Sequence, residues 1–226
     1  MSEIALRSVS HRYGDRVVLD GIDLTLSEHR IGIVGANGSG KSTFARMVNG
    51  LVLPTSGTVT VDGLDTAREG RKVRQKVGFL FTDPDNQIIM PTVAEDVAFS
   101  LRRSGLAKGE IDARVRAALE QFGLGSHADH PTHLLSGGQK QLLALAAVLI
   151  RQPQVLVADE PTTLLDLRNA RLVADLLASL PQQVVVVTHS LQLLTRFDRV
   201  LLIEAGRVVA DGSPAETAAR YQALLQ

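Results

Sequence analysis

The sequence predicts an α/β fold, with a parallel sheet covered by helices, an antiparallel β region before it and a helical insertion within it. Three observations carry that expectation. Val155 to Ala158 and Val184 to Val187 are continuous apolar runs without polar alternation, as expected of parallel strands covered on both faces. Ile31 to Val34 is a third short apolar run, and it leads through a glycine-rich turn into a helical pattern starting at Lys41. From about Val93 to Ile150, apolar residues recur at three- and four-residue spacing instead, which is the period of amphipathic helices.

In chain order, Ile4 to Tyr13 and Arg16 to Leu19 flank a Gly14-Asp15 turn, and Ile22 to Leu26 alternates with period two. These patterns predict β structure before Ile31. Gly57 to Val61 reads as a strand ended by an Asp62-Gly63 turn, and Val77 to Phe81 as another buried strand. Gly105, Leu124-Gly125 and Pro131 punctuate the helical insertion. Arg199 to Glu204 and Arg207 to Asp211, joined at Ala205-Gly206, close the chain as a hairpin followed by a short helix. We expect one domain over 1–226, with a core and β region at about 1–82 and 153–226 and a helical subdomain at about 88–150.

Composition excludes several classes of function. No apolar run approaches bilayer length, and the N-terminus lacks the basic-then-apolar pattern of a signal peptide. A cytosolic chain is expected, with any membrane role exercised through a partner. There are no cysteines, so neither disulfides nor thiolate metal sites can form. The 24 basic residues balance 24 acidic ones, and aromatics are only 4%. That leaves neither a basic field nor a stacking platform, so no nucleic-acid partner is expected.

The strongest motif is Gly35-Ala36-Asn37-Gly38-Ser39-Gly40-Lys41-Ser42, followed by Thr43, which matches G-x-x-x-x-G-K-[ST]. Glycines let successive N–H groups turn toward an anion, and the helix that follows adds its positive end. Lys41 supplies a charge for the β- and γ-phosphates, and the Ser42 hydroxyl suits Mg²⁺. ATP with Mg²⁺ is the expected ligand.

Asp159 and Glu160 end the apolar strand at Val155, where ligands sit in open parallel sheets. Asp159 is expected to hold the metal, and Glu160 to polarise the attacking water as general base. His189 ends the strand of Val184 to Thr188 and can donate a hydrogen bond to a γ-phosphate. Leu135-Ser136-Gly137-Gly138-Gln139 precedes a helix with apolar residues at Leu142, Leu145, Ala146 and Leu149. Ser136 can cap that helix, and the glycines leave its N-terminus open to an anion; a plain Ser-Gly-Gly cap reads the same way.

With these motifs in this order, the chain resembles the nucleotide-binding domain of ABC ATPases over essentially its whole length. Leu135 to Gln139 resembles the family signature, while Gly35 to Ser42 and Asp159-Glu160 resemble its Walker A and B segments. Thr163 to Asp166 is similar to the D-loop, His189 to the switch histidine, and Tyr13 to the aromatic that stacks on adenine. The resemblance implies a RecA-like P-loop core whose inserted helical subdomain carries the signature. It also implies a head-to-tail homodimer, in which Ser136, Gly137, Gly138 and Gln139 of one chain face the ATP held by the other.

Two positions depart from the family pattern. Thr82 stands where the family has a glutamine that contacts Mg²⁺ and water. Thr82 remains a candidate ligand through its hydroxyl, and Gln87 reads either as a substitute or as a neighbour in the same loop. After the signature the chain has Gln141-Leu142 where the family has Gln-Arg. Phe81 to Gln87, Pro91 to Phe99 and Thr162 to Arg168 resemble the ATPases of energy-coupling factor importers, of the biotin or cobalt/nickel type. That resemblance implies a transmembrane coupling protein and a substrate-binding membrane protein as partners, with the ATPase peripheral on the cytoplasmic face. Other ABC transporters, a non-transport ABC ATPase and a P-loop kinase are the competing readings. Because the chain ends soon after the closing hairpin, dimer contacts are expected mainly on the ATP sandwich, with a monomer in solution without ATP.

Overall fold

The computed structural model describes residues 1–224, which form two compact units. The first comprises Met1–Phe79, Gln154–Glu160 and the described residues from Ala174 onward; the second comprises Leu80–Pro153 and Pro161–Val173.

The first unit holds two sheets. In the four-stranded sheet, β1 (Ile4–Tyr13) lies between β2 (Arg16–Leu26) and β4 (Ser56–Val61), antiparallel to both, and a two-residue β5 (Leu64–Asp65) pairs with β4. The sequence suggested two separate strands between Arg16 and Leu26, but the structure has one. Gly21, at φ 60°, lets the strand kink without breaking, and its N–H is held by Ser10 Oγ at 2.9 Å. The ladder between β1 and β2 shifts register around this point, as at a β-bulge.

The larger sheet is built from β3 (Arg30–Val34), β6 (Val77–Leu80), β7 (Val155–Asp159), β8 (Gln183–Val187), β9 (Arg199–Glu204) and β10 (Arg207–Gly212). Its order is β10-β9-β3-β8-β7-β6. Strands β9, β3, β8 and β7 run parallel and β10 closes one edge antiparallel. Every residue of β3, β7 and β8 is buried, which is why their sequences lack polar alternation. Helix α1 (Lys41–Val48) buries Phe44, Ala45, Met47 and Val48 completely. Helix α2 (Gly70–Lys76) buries only Val73 and has no apolar stripe by which the sequence could reveal it.

In the second unit, α3 (Val93–Phe99), α4 (Lys108–Gln121) and α5 (Gly137–Leu149) form the helical insertion. Thr92 opens α3 with a capping box completed by Glu95. Leu142 to Ala146 of α5 are all buried, so Leu142 is a core side chain where the family pattern has an arginine. Helix α6 (Leu167–Ser179) begins in the second unit and ends in the first. Its end is closed by the buried Arg30, whose guanidinium donates to the carbonyls of Ala178, Leu180 and Gln182. Grouping Pro161–Val173 with the helical unit differs from the sequence division, which kept all of 153–226 in the core. Asn169 packs against Gly138, and Leu164 lies beside Gly137, so this segment is tied to the start of α5.

Candidate active site

Three neighbouring parallel strands deliver the candidate residues of the first unit to one edge. Ile33 of β3 lies opposite Val187 of β8, and Val187 opposite Asp159 of β7. The ladder continues one step past the strands, with Thr188 N–H donating to Ile33 O at 3.0 Å and Glu160 N–H to Val187 O at 2.8 Å. The loop from Gly35, the 159–160 pair and His189 therefore emerge side by side at the carboxyl ends, where open sheets bind ligands.

The loop between β3 and α1 needs its glycines for backbone reasons. At Gly40, φ is 106° and a β-carbon would stand 2.5 Å from the Val18 carbonyl oxygen. At Gly35 a β-carbon would collide with the Ile203 carbonyl. Ala36, Asn37 and Gly38 form the exposed tip, while Ser39, Gly40 and Thr43 are buried. No side chain caps α1 and its first turn has no acid, so its leading N–H groups keep their positive end open to an anion. Lys41 Nζ donates to the carbonyls of Gly35 and Ala36, both at 2.8 Å. Its third hydrogen is left for another acceptor. Burial pulls the Lys41 ammonium below the usual lysine range, against the opposing pull of Glu160 and Asp159.

Asp159 is 1% exposed. Its Oδ1 accepts the Ser42 hydroxyl at 2.8 Å, and Arg46 lies 3.5 Å from its Oδ2. Burial pushes its carboxyl above the ordinary range, with the Ser42 hydrogen bond and Arg46 opposing that shift. Glu160 adopts φ 51°, a left-handed conformation that costs a non-glycine residue energy and that recurs at functional sites. Its Oε2 lies 2.9 Å from Nδ1 of the half-exposed His189. The arrangement places a carboxylate beside an imidazole next to a phosphate-binding loop. Tyr13 is 52% exposed and meets the His11 ring edge-on, with centroids 4.5 Å apart.

In the second unit, Ser136 and Gln139 close a reciprocal cap on α5. Ser136 Oγ accepts the Gln139 N–H at 3.3 Å, and Gln139 Oε1 accepts the Ser136 N–H at 2.9 Å. Ser136 and Gly137 remain exposed while Gly138 is buried. Asp166 caps α6 through Asn169, accepting its backbone N–H at 2.8 Å and its side-chain amide at 2.9 Å. Asn169 then fills the space beside Gly138, where a β-carbon would stand 2.5 Å from its side chain. Gln87 is held at both ends of its amide, since Oε1 takes the Phe81 N–H at 3.2 Å and Nε2 donates to Ala144 O at 3.3 Å. Of its two readings, the neighbour in the loop is the one this geometry favours. Thr82 is half-buried in the same loop.

Sequence reasoning passed over Arg46, Asn169 and His127, which donors and acceptors of the motifs touch. Arg46 follows Ser42 by four residues on α1, a spacing that puts both on one helix face and would have drawn attention to it. Asn169 and His127 carry no such signal, because the contacts that tie them to the signature, Asn169 against Gly138 and His127 with Gln139, join separate elements.

A β-strand, glycine loop and helix joined to a strand-end Asp-Glu pair define a P-loop ATPase. The family profile described as ABC transporter matches residues 19–163, and the chain belongs to that family as an ATP-binding, ATP-hydrolysing subunit. It is 55% identical over 219 residues to a putative ABC transporter ATP-binding protein of Deinococcus radiodurans, covering 97% of each chain. It is 48% identical over 221 residues to the biotin transport ATP-binding protein BioM of Rhizobium etli, covering 98% of each. Among solved structures, it superposes on cbiO1 of Clostridium perfringens, part of the ABC transporter complex cbiONQ, with a TM-score of 0.85 and 34% identity. That match covers 98% of this chain and 92% of the other. Among the described residues, no helix is long and apolar enough to cross a membrane.

Proposed function

We propose that the chain is the ATPase of an energy-coupling factor importer for biotin, with cobalt or nickel as the second reading. The observation that carries it is the end-to-end similarity to a biotin transport ATP-binding protein, supported by the fold shared with cbiO1. On this reading two copies assemble head to tail on the cytoplasmic face, peripheral to a transmembrane coupling protein and a substrate-binding membrane protein.

The geometry supports the following roles. Tyr13 stacks on adenine. The N–H groups of Gly35, Asn37, Gly38, Ser39, Gly40, Lys41, Ser42 and Thr43 surround the phosphates, and Lys41 gives its remaining hydrogen to the β- and γ-phosphates. Ser42 Oγ and Asp159 Oδ1, 2.8 Å apart, are hard oxygen donors that fit Mg²⁺, with Thr82 a further candidate. Mg²⁺ uses few protein ligands and shares its shell with substrate phosphates and water. When bound it neutralises charge on the β- and γ-phosphates. Glu160 takes the proton of the attacking water, and His189, touching Glu160, orients it and reaches toward the γ-phosphate. The signature residues Ser136 to Gln139 of the second chain complete the site, with Asp166 holding Asn169 behind Gly138.

The test is a pull-down of tagged protein from solubilised membranes, with partners identified by mass spectrometry. Two small, strongly hydrophobic proteins should copurify, the smaller carrying the ligand. Recovery of soluble partners alone would remove the transporter reading and leave the ATPase.

A further inference from the structure

His127 and His130, in the turns between α4 and α5, belong to none of the ATPase motifs, yet they are wired to the signature. Gln139 Nε2 lies 3.0 Å from His127 Nε2, and His127 Nδ1 lies 2.9 Å from His130 Nδ1. Only one protonation state satisfies every link. Gln139 Oε1 is committed to the Ser136 N–H, so its amide nitrogen must face His127 and donate. The His127 Nε2 is then a bare acceptor, its proton sits on Nδ1, and that N–H donates to a bare Nδ1 on His130. Both rings must be neutral. Turning the Gln139 amide over offers no escape, because its NH₂ would then oppose the Ser136 N–H.

We propose that His127 is a positioning residue for the signature, and that the His127–His130 pair is a proton-operated latch. It holds Ser136 to Gln139 in shape while both rings are neutral and releases them when either gains a proton. The proposal rests on the reading that the signature engages ATP in trans. A proton on His127 Nε2 would set one donor against another at Gln139; a proton on His130 Nδ1 would do the same at His127. Several charged groups on the elements packed around the pair are bonded elsewhere. On α3, Glu95 is bonded to Thr92, and Asp96 accepts from Ile89 and Met90. On α5, Lys140 is paired with Asp85 at 2.7 Å. Glu120 of α4 lies against Gly125, and Asp129 and His133 are exposed. Among the described residues no carboxylate is bonded to either ring.

The experiment uses the full chain carrying Glu160→Gln, which removes the proposed base, and reads ATP-dependent dimerisation by light scattering alongside ATP binding to the single chain. Between about pH 7.5 and about pH 5.5, an interval in which histidine side chains in general can change charge, dimerisation should weaken about tenfold while single-chain ATP affinity changes less than about twofold. Adding His127→Ala should weaken dimerisation about tenfold at the upper pH, the scale of one lost hydrogen bond, and flatten the profile. His127→Gln, whose Oε1 can accept from Gln139 without titrating, should dimerise well at both pH values. Unchanged dimerisation and pH profile in His127→Ala, or an acid loss in His127→Gln like the parent's, would overturn the latch. Ring ¹⁵N shifts of the parent give an answer independent of how the variants fold. The Nδ1–H tautomer on His127 at about pH 8 is expected, and the Nε2–H tautomer would refute the wiring. A parent that binds ATP but never dimerises would sink the trans reading itself, and the latch with it.

Discussion

At the scale of the residue, Asp159 holds a negative charge where water scarcely reaches. Burial drives its carboxyl above the ordinary range even though Ser42 donates to it and Arg46 stands nearby. A carboxyl whose folded pKa exceeds its unfolded one binds a proton more readily in the native chain. Stability therefore falls as pH rises from the unfolded value through the folded one, and the ionised group is a net cost above that window. Asp159→Asn should then melt at a higher temperature than the parent at neutral pH, with the gap closing in acid, while Mg²⁺-dependent hydrolysis is lost. Thermal melts at about pH 4, close to the ordinary aspartate value, and at about pH 7.5, well above it, check this. A lower melting temperature at neutral pH would mean that the Ser42 and Arg46 contacts outweigh the burial cost. The same burial that makes Asp159 expensive gives a bound cation a strong field, the usual trade between stability and activity.

At the scale of the element, the loop after β6 is fastened to α5 by Gln87, with a hydrogen bond at each end, and by the ion pair of Asp85 with Lys140. Gln87→Ala should lower stability by about 1–3 kcal/mol, the range for two modest hydrogen bonds, and leave ATP affinity within about twofold. Denaturant melts and nucleotide titration read the two quantities separately. A large loss of Mg²⁺-dependent ATP binding with no loss of stability would restore Gln87 as the substitute for the missing glutamine. Gln87 also marks the limit of what sequence discloses. The buried strands at Val155 and Val184, the loop at Gly35 and the cap at Ser136 are legible because each is a local pattern with a local physical cause. Helix α2 is not, since Val73 alone anchors it. Nor is the placing of Pro161–Val173 beside the helical insertion, because it depends on Asn169 filling the space left by Gly138, a contact between residues distant in the chain. Two readings at 16–26 merged into one strand for a similar reason: Gly21 reads as a break in sequence, but Ser10 across the ladder supports it.

At the scale of the whole molecule, the phosphate loop and the signature lie in different compact units, and the proposed dimer uses one from each chain. Such a reciprocal two-fold pairing has a consequence that a site confined to one chain lacks. Lys41→Ala disables the phosphate loop but leaves its signature intact; Ser136→Arg blocks the signature but leaves its phosphate loop intact. Each variant alone should be inactive, since every site in its homodimer has a damaged half. Mixed in equal amounts, half of the dimers contain one of each, and each of these has one site with both halves sound. The mixture should recover about one quarter of the parental hydrolysis rate, as random pairing of a head-to-tail dimer requires. Differently tagged variants should also copurify when ATP is added. The rate per chain should fall on dilution, because assembly and not chemistry limits a dilute sample. A mixture as inactive as its components, with no ATP-dependent copurification, would place the whole site on one chain and leave Ser136 to Gln139 as a helix cap.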